Sequence, residues 1–340
     1  MTVTPKRTPK HWLRRHSIRP TCMKKLILAL LFLLPLLSPA QTISFSFDDG
    51  LDPREQSQAA VWNAQILAAL KTTKTTAMLF PAGDLVDSPE GLSLVKQWSD
   101  AGHAIGNHTY SHTSLNNNSI TLDDFTADVL RADGLLKDIP GWNRRLRFPY
   151  LKEGATVDKR DGMRQWMDAN HYLPAPVSID TSDWYFDERF VTWRANHATQ
   201  DVAAFRRAYL AHLWSRAQYY EALAKRTLGR SPAHVMLLHT SGINAEFLPD
   251  VLAMFKDKGW RIVSPQDAFK DPLYTQRTTT LPAGECIIWA LAKQAGAPDL
   301  RYPAEDGKYE QPGLDALDSA GGAADITNKV RATVDAAIGR

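Results

Sequence analysis

The chain has 340 residues, of which 44% are hydrophobic and 23% are charged. This composition is typical of a globular protein and excludes a disordered chain, a collagen-like repeat and a disulfide-rich scaffold, because glycine, proline and cysteine number only 19, 20 and 2. The formal net charge is +3, but residues 1–40 hold eight lysines and arginines and no acid. The rest of the chain has 32 basic and 37 acidic side chains, a net charge of −5, which gives no indication of nucleic-acid binding.

The first forty residues have the pattern of a targeting signal. Two lysines precede an apolar run over 26–37, and small residues ending at Ala40 follow it. This order predicts a secretory signal peptide over 23–40, cleaved after Ala40. A transmembrane anchor is the alternative, but about 12 apolar residues are fewer than the roughly 20 needed to cross a bilayer. We therefore expect an exported, periplasmic or extracellular protein without a stable membrane span, and we interpret residues 1–22 as a basic N-terminal extension from an upstream start.

The chain after residue 40 alternates short apolar runs with helical patterns. Two helices have clear start signals, at Ser88-Pro89 and Ser264-Pro265, where serine is the cap and proline takes the first helical position. Seven apolar runs are strand candidates: Ile43–Phe47, Ala77–Phe80, His103–Gly106, Leu146–Phe148, Ala175–Ile179, Val235–Leu238 and Arg261–Val263. Strands alternating with helices predict a parallel sheet with helices outside it, and seven strands predict a closed or nearly closed barrel.

Two segments interrupt this alternation. Residues 185–230 have a helical pattern rich in aromatic side chains, which we interpret as a helical insertion packed on the barrel rather than as a sugar-stacking surface. Residues 272–340 form a C-terminal extension, with a short helix expected over 284–294, to which we assign no role. Cys286 is the one cysteine beyond the signal, so we expect it to be a small buried residue without a disulfide.

Two groups of chemically active side chains follow the first and third strand candidates. Asp48 and Asp49 end the first, at the position where a barrel strand presents side chains to an active site, although Asp-Asp-Gly is also a common turn. His108 and His112 follow the third and are four residues apart, so we expect them on one face of a helical turn, where they could hold one metal ion. Two histidines and an aspartate leave a fourth position open, as a catalytic zinc site requires.

Three further groups lie at or just beyond other strand candidates. They are Arg147-Phe148-Pro149-Tyr150, Asp180-Thr181-Ser182-Asp183-Trp184 and Leu237-Leu238-His239. Five strand ends that bear Asp, His, Arg, Asp and His in this order are far less expected by chance than any one of them.

These five groups, in this order, resemble the five motifs of the polysaccharide deacetylase family, also called the NodB homology domain or carbohydrate esterase family four. The resemblance spans Ile43 to His239 and implies a catalytic domain over 41–271. Members of this family are metal-dependent N- or O-deacetylases built on a distorted (β/α)7 barrel. We therefore expect that α/β fold, with the insertion over 185–230 and the extension after 271.

The resemblance implies an acid–base pair with supporting residues. Asp48 matches the general base and Arg147 the residue that holds it, while His239 matches the general acid and Asp183 the carboxylate that tunes it. Hydrolysis of an acetamide needs both, because water must lose a proton and an amine is a poor leaving group unless it gains one.

The resemblance also implies a metal site and an acetyl pocket. Zinc is the expected metal, with cobalt or nickel as alternatives. The implied metal ligands are Asp49, His108 and His112. The backbone N–H of Tyr150 is expected in the oxyanion hole, and Trp184 and Leu237 as walls of the pocket.

We therefore expect an exported, monomeric hydrolase that removes acetyl groups from an N-acetylated glycan by attack of a metal-bound water. Chito-oligosaccharide, peptidoglycan and poly-N-acetylglucosamine all remain open as substrates. Xylan O-acetyl esters and the C–N bonds of small cyclic amides are alternative substrates on the same scaffold. A glycan-binding module without catalysis is a third hypothesis, which the intact set of implied ligands and base disfavours.

Overall fold

The computed structural model describes residues 1–4, 40–301 and 307–319. The predicted signal peptide therefore lies outside the described residues, apart from Ala40. The described residues from Gln41 onward form one unit. Within the ranges given above, no helix is both long enough and apolar enough to cross a membrane.

A parallel sheet organises this unit. In the described ranges its strands and those of a small second sheet are β1 (Thr42–Asp49), β2 (Ala77–Pro81), β3 (Ala104–Asn107), β4 (Trp142–Leu146), β5 (Lys152–Gly154), β6 (Leu173–Pro174), β7 (Ala233–His239), β8 (Arg261–Ile262) and β9 (Ala283–Gly284). The main sheet has the order β6-β4-β3-β2-β1-β7, with β8 paired to the start of β1. All its pairings are parallel, so the carboxyl ends of its strands share one edge.

The sheet closes through the extended segment 175–179. Ala175 N–H donates to Leu146 O at 2.9 Å on the β4 side. On the other side Ser178 and Ile179 donate to Val235 O at 3.0 and 3.1 Å, and Leu237 N–H donates to Ile179 O at 2.9 Å. This segment joins β4 to β7 and makes the sheet a distorted (β/α)7 barrel, which confirms the predicted fold class.

Helices surround the barrel. The described ones are α1 (Ala59–Thr73), α2 (Gly83–Val86), α3 (Pro89–Asp100), α4 (Leu122–Leu136), α5 (Val157–Ala169), α6 (Asp183–Asn196), α7 (Ala203–Leu228), α8 (Gly242–Asp257), α9 (Pro265–Ala268), α10 (Ile287–Gln294) and α11 (Gln311–Ser319). Both serine–proline starts are confirmed. The Ser88 hydroxyl accepts from Gly91 N–H at 2.9 Å, and that of Ser264 accepts from Asp267 N–H at 3.1 Å.

Two predicted strand boundaries are wrong. The strand predicted over 146–148 begins at Leu146, where β4 ends. The prediction missed β4 because the strand is only partly buried and its sequence, Trp142-Asn-Arg-Arg, is mostly polar. Of the predicted strand over 175–179, only Ile179 forms a β-bridge, and β6 itself lies at 173–174.

The insertion and the extension share the core of the barrel. The insertion comprises α6 and α7, whose Phe186, Phe190 and Trp193 are at most 5% exposed, which confirms packing rather than a sugar-stacking surface for these rings. The extension contributes Ile288 and Leu314 to the same apolar cluster. Its short helix, α10, is confirmed, and Cys286 is buried and free of any disulfide, as expected.

Candidate active site

A cavity of about 300 Å³ opens at the carboxyl edge of the parallel strands. It is lined by Asp48, Asp49, His108, His112, Tyr150, Leu151, Asp180, Trp184, Leu237 and His239. Eight of the ten residues singled out as site candidates are in this lining. The other two, Arg147 and Asp183, lie directly behind it and bond to Asp48 and His239. The fold therefore brings together side chains that are up to 191 positions apart in sequence.

Asp48 is held by a buried arginine. Arg147 Nη1 donates to both carboxylate oxygens of Asp48, at 2.8 and 3.0 Å, and the arginine is 1% exposed. The other guanidinium nitrogens donate to Ala175 O at 2.6 Å and to Ser46 Oγ at 3.1 Å, so the group has one fixed orientation. Burial raises the pKa of Asp48 to about 6, while the charge of Arg147 opposes that rise.

His239 is the register partner of Asp48 on the neighbouring strand β7, and its charged partner is an acid rather than a base. Its Nδ1 lies 2.7 Å from Asp183 Oδ1, and its backbone N–H donates to Asp183 Oδ2 at 2.8 Å. Burial alone would favour the neutral imidazole, but the Asp183 carboxylate outweighs it and raises the pKa of His239 to about 10. The imidazole is therefore a cation at neutral pH.

Asp49, His108 and His112 form the group that could hold a metal ion. Their nearest ligand atoms all lie within 4.8 Å of one another. Asp49 Oδ1 is 3.6 Å from His108 Nε2 and 3.4 Å from His112 Nε2. Bonds of about 2.0–2.1 Å in a tetrahedral zinc site separate ligand atoms by roughly 3.4 Å, so the two distances from Asp49 fit.

Two further observations favour a cation at this position. Asp49 Oδ1 is buried without a hydrogen-bond partner, which is costly for a carboxylate unless an ion satisfies it. His108 Nδ1 bonds Arg147 O at 2.7 Å, which leaves Nε2 as the free ligand atom, in the way outer partners orient metal-binding histidines. Burial lowers the pKa of both His108 and His112, which favours the neutral form that metal binding requires.

The predicted helical turn at the histidine pair is wrong. Residues 108–112 lie in an irregular loop, in which Thr109 and His112 have φ of 62° and 52°. The two imidazoles meet because Asn107 folds the loop, its side-chain oxygen accepting from Thr109 N–H at 2.8 Å. Their ring centroids are 4.8 Å apart.

The remaining candidates surround the opening. Tyr150 is 53% exposed, and its ring centroid lies 4.7 Å from that of His112. Trp184 and Leu237 line the cavity beside His239. Tyr150 has φ of 57°, as does Leu151 after it, so two consecutive non-glycine residues have left-handed backbone.

Sequence reasoning missed several residues of this site. Asn244 Nδ2 donates to Asp183 Oδ2 at 2.8 Å and to His239 O at 2.9 Å, and Tyr209 of the insertion donates to Asn244 Oδ1 at 2.7 Å. Leu151 and Asp180 line the cavity without an assigned role. A polar residue one turn into the helix after His239 was the available signal for Asn244, whereas Tyr209 had none.

Comparison with known proteins adds an independent observation. The profile of the family described as polysaccharide deacetylase matches residues 38–166. This range contains the aspartate pair, the histidine pair and the Arg147–Tyr150 group, and it ends before Asp183 and His239.

Two curated proteins are similar to the chain. The peptidoglycan-N-acetylglucosamine deacetylase of Bacillus cereus is 27% identical over 143 residues, which cover 42% of this chain and 46% of that protein. The chain thus spans less than half of that relative. The peptidoglycan-N-acetylmuramic acid deacetylase PdaA of Bacillus subtilis is 25% identical over 229 residues, 67% of this chain and 71% of that protein. The crystal structure of the Bc1960 peptidoglycan N-acetylglucosamine deacetylase aligns with a TM-score of 0.46 at 21% identity, over 68% of this chain and 89% of that one.

Proposed function

The chain belongs to the polysaccharide deacetylase family, and on this premise we propose that it hydrolyses the acetamide groups of an N-acetylated glycan. One observation carries the proposal. Asp48 and His239 are register partners on adjacent strands, and both line the cavity. Arg147 favours the ionised carboxylate of Asp48, whereas Asp183 favours the protonated imidazole of His239. A carboxylate and an imidazolium so arranged suit a reaction that removes a proton on one side and supplies one on the other.

Asp48 acts as the general base in this proposal. The two hydrogen bonds from Arg147 favour its ionised form and fix the direction of its oxygens. The carboxylate accepts the proton of the water that attacks the acetyl carbon. Because the carboxylate is buried, it is poorly solvated and its pKa is closer to neutrality than that of an exposed aspartate, which makes it a stronger base.

His239 acts as the general acid. Its imidazolium, stabilised by Asp183, donates a proton to the amide nitrogen as the C–N bond breaks. Asn244 holds the same carboxylate and the His239 carbonyl, so the ring has a fixed position relative to the cavity.

Asp49, His108 and His112 are the proposed metal ligands, and Zn²⁺ is the proposed ion. A divalent cation bound there supplies a Lewis acid that polarises the acetyl oxygen and lowers the pKa of water. The Tyr150 N–H is the proposed second stabiliser of the developing oxyanion, and removing one such donor from an enzyme lowers kcat roughly 10²–10³-fold. Trp184 and Leu237 present apolar surface to the acetyl methyl group.

Peptidoglycan is the proposed substrate polymer. Both curated relatives are named as peptidoglycan deacetylases, and the N-terminal pattern predicts export to the compartment that contains this polymer. The mature protein then starts at Gln41 and acts as a monomer outside the cytoplasm.

The test is acetate release by the purified protein from peptidoglycan and, in parallel, from acetylated chito-oligosaccharides. We expect release that requires Zn²⁺, stops on chelation and falls at least about 10²-fold in Asp48→Asn, because general base catalysis typically contributes 10²–10⁴-fold. The control is Asp52→Asn, which changes a nearby aspartate that pairs with Arg54 and does not line the cavity.

Other outcomes would redirect the assignment. Stoichiometric zinc binding without acetate release from either glycan would overturn glycan N-deacetylation, and release from acetylated xylan or cleavage of a small cyclic amide would identify the replacement. Retention on a glycan column without any turnover would favour a binding module.

A further inference from the structure

We propose that strand β9 of the C-terminal extension is a clamp that positions Tyr150 for catalysis, with Gly284 and Glu285 as its positioning residues. The inference rests on the proposed function, in which the Tyr150 N–H stabilises the oxyanion. It gives a role to a segment that no sequence motif explains.

The turn that contains Tyr150 lies between β4 and β5. Tyr150 and Leu151 both have φ of 57°, a left-handed conformation that side chains with a Cβ rarely adopt and that costs free energy at each residue. Within the turn, Leu151 N–H donates to Phe148 O at 3.0 Å. Two successive strained residues persist only where surrounding structure holds them.

The extension supplies that structure. β9 pairs antiparallel with β5, with Gly284 opposite Lys152, and Glu285 N–H donates to Leu151 O at 2.8 Å. The Lys152 and Glu285 side chains also form an ion pair. The carbonyl of Leu151, the residue after Tyr150, is therefore bonded directly to the extension.

Gly284 is the residue that permits this contact. A Cβ at this position would lie 1.9 Å from Leu151 O and 2.9 Å from Glu153 N, both of them backbone atoms. With φ of +109°, Gly284 also has a backbone conformation that favours glycine. Any larger residue must push the Leu151 carbonyl away, and Tyr150 moves with it.

The clamp is anchored to the barrel on both sides of β9. Before it, Arg160 and Arg164 of α5 donate to the carbonyls of Thr279 and Thr278 at 2.6 and 2.8 Å. After it, Ile287 N–H donates to Val177 O at 2.9 Å, on the segment that closes the barrel. The extension thus links the strained turn to helix α5 and to the segment 175–179.

The test compares Gly284→Ala with Gly296→Ala in the full chain. Gly296 lies in the same extension and has φ of +73°, but a Cβ there meets nothing within 4 Å. Both variants carry the cost of alanine at positive φ, and only the first displaces Leu151. Amide hydrogen exchange of the peptide over 147–152 and the kinetics of acetate release are measured for each.

We expect Gly284→Ala to exchange this peptide at least about tenfold faster, because local opening becomes easier. We also expect kcat and kcat/KM to fall by the same factor, about tenfold or more, with KM and zinc stoichiometry unchanged, since an oxyanion contact is made only in the transition state. Gly296→Ala should match the wild type in both measurements.

Equal exchange and equal kcat in the two variants would overturn the clamp. If the wild type releases no acetate, the proposed function fails, and the exchange measurement alone still decides whether β9 holds the turn. Should Gly284→Ala fail to fold, Arg160→Gln loosens the Thr279 anchor without a clash and leaves the pair of Arg164 with Glu153 of β5 in place. Unchanged exchange over 147–152 in that variant would reject the proposal, and faster exchange would support it.

Discussion

At the scale of single residues, the protonation state of each titratable group in the site depends on the charged residue that is bonded to it. Arg147 and Asp183 do not line the cavity, yet each bonds a residue that does, at 2.8 and 2.7 Å. Both are at most 1% exposed, so solvent screens neither interaction effectively. Arg147 opposes the rise that burial causes in the pKa of the Asp48 carboxylate, and Asp183 raises the pKa of the His239 imidazole. The base can therefore be ionised while the acid is protonated, as acid–base chemistry needs.

The first prediction concerns the alkaline limit of activity. Asp183 raises the pKa of His239, so the proton of the general acid is retained until pH approaches about 10. In Asp183→Asn the cation loses its partner, its pKa falls, and the proton is lost at lower pH. We expect the alkaline limb of kcat/KM to move down by at least about one pH unit, measured as acetate release from pH 6 to 10.

The control for this prediction is Asp187→Asn, one turn further along α6. Its carboxylate accepts from Ile243 N–H at 2.7 Å and makes no bond to His239. An alkaline limb that moves equally in both variants would mean that Asp183 does not set the protonation of the general acid.

At the scale of elements, the insertion and the extension are joined by a buried charge cluster. Glu310, just before α11, has Oε1 at 3.2 Å from Arg216 Nη2 of α7 and at 3.2 Å from Arg301 Nη2. Arg216 also donates to Ser182 Oγ at 2.6 Å, next to Asp183 at the start of α6. One carboxylate oxygen is thus the shared counter-charge of two guanidinium groups that lie out of water.

The second prediction follows from that arrangement. In Glu310→Gln the two buried arginines lose their counter-charge, and breaking a buried pair typically costs about 3–5 kcal/mol. We expect the free energy of unfolding, measured by urea denaturation, to fall by an amount in this range. Asp315→Asn on α11 is the control, because its pair with Arg189 is half exposed and such pairs contribute about 0–1 kcal/mol. Equal losses in the two variants would contradict a special role of burial.

At the scale of the whole molecule, the boundary of the catalytic domain depends on the extension. Sequence motifs predict a domain over 41–271. In the structure Leu273, Ile288, Leu314 and Leu317, all beyond this boundary, are fully buried in the same apolar cluster as the barrel strands. The packing of the extension is thus continuous with that of the barrel.

The third prediction is that the chain truncated after Asp271 does not fold cooperatively. Each buried leucine or isoleucine contributes about 1.5–3 kcal/mol, and the four lost with the extension approach the 5–15 kcal/mol of a typical net stability. We expect loss of the soluble fraction and of a cooperative thermal transition. A soluble truncated chain with a sharp transition would instead support the predicted boundary at 271.

Local patterns were sufficient for the parts of this protein that depend on neighbouring residues. Apolar runs predicted the strands β1, β2 and β7, and serine–proline pairs predicted the starts of α3 and α9, because strand burial and helix capping are set within a few positions. Five groups at strand ends, read with a family resemblance, named eight of the ten residues that line the cavity. The partly buried strand β4 was misplaced because its polar letters do not alternate clearly.

Tertiary structure decided everything that depends on contacts between distant positions. The histidine pair meets in a loop rather than on a helix, and Tyr209 reaches Asn244 from 35 positions away. Glu310 meets Arg216 across 94 positions, and Glu285 meets the Leu151 turn where β9 pairs with β5. A motif identifies which side chains can do chemistry, whereas barrel closure determines which distant groups hold them, because those hydrogen bonds exist only in the folded chain.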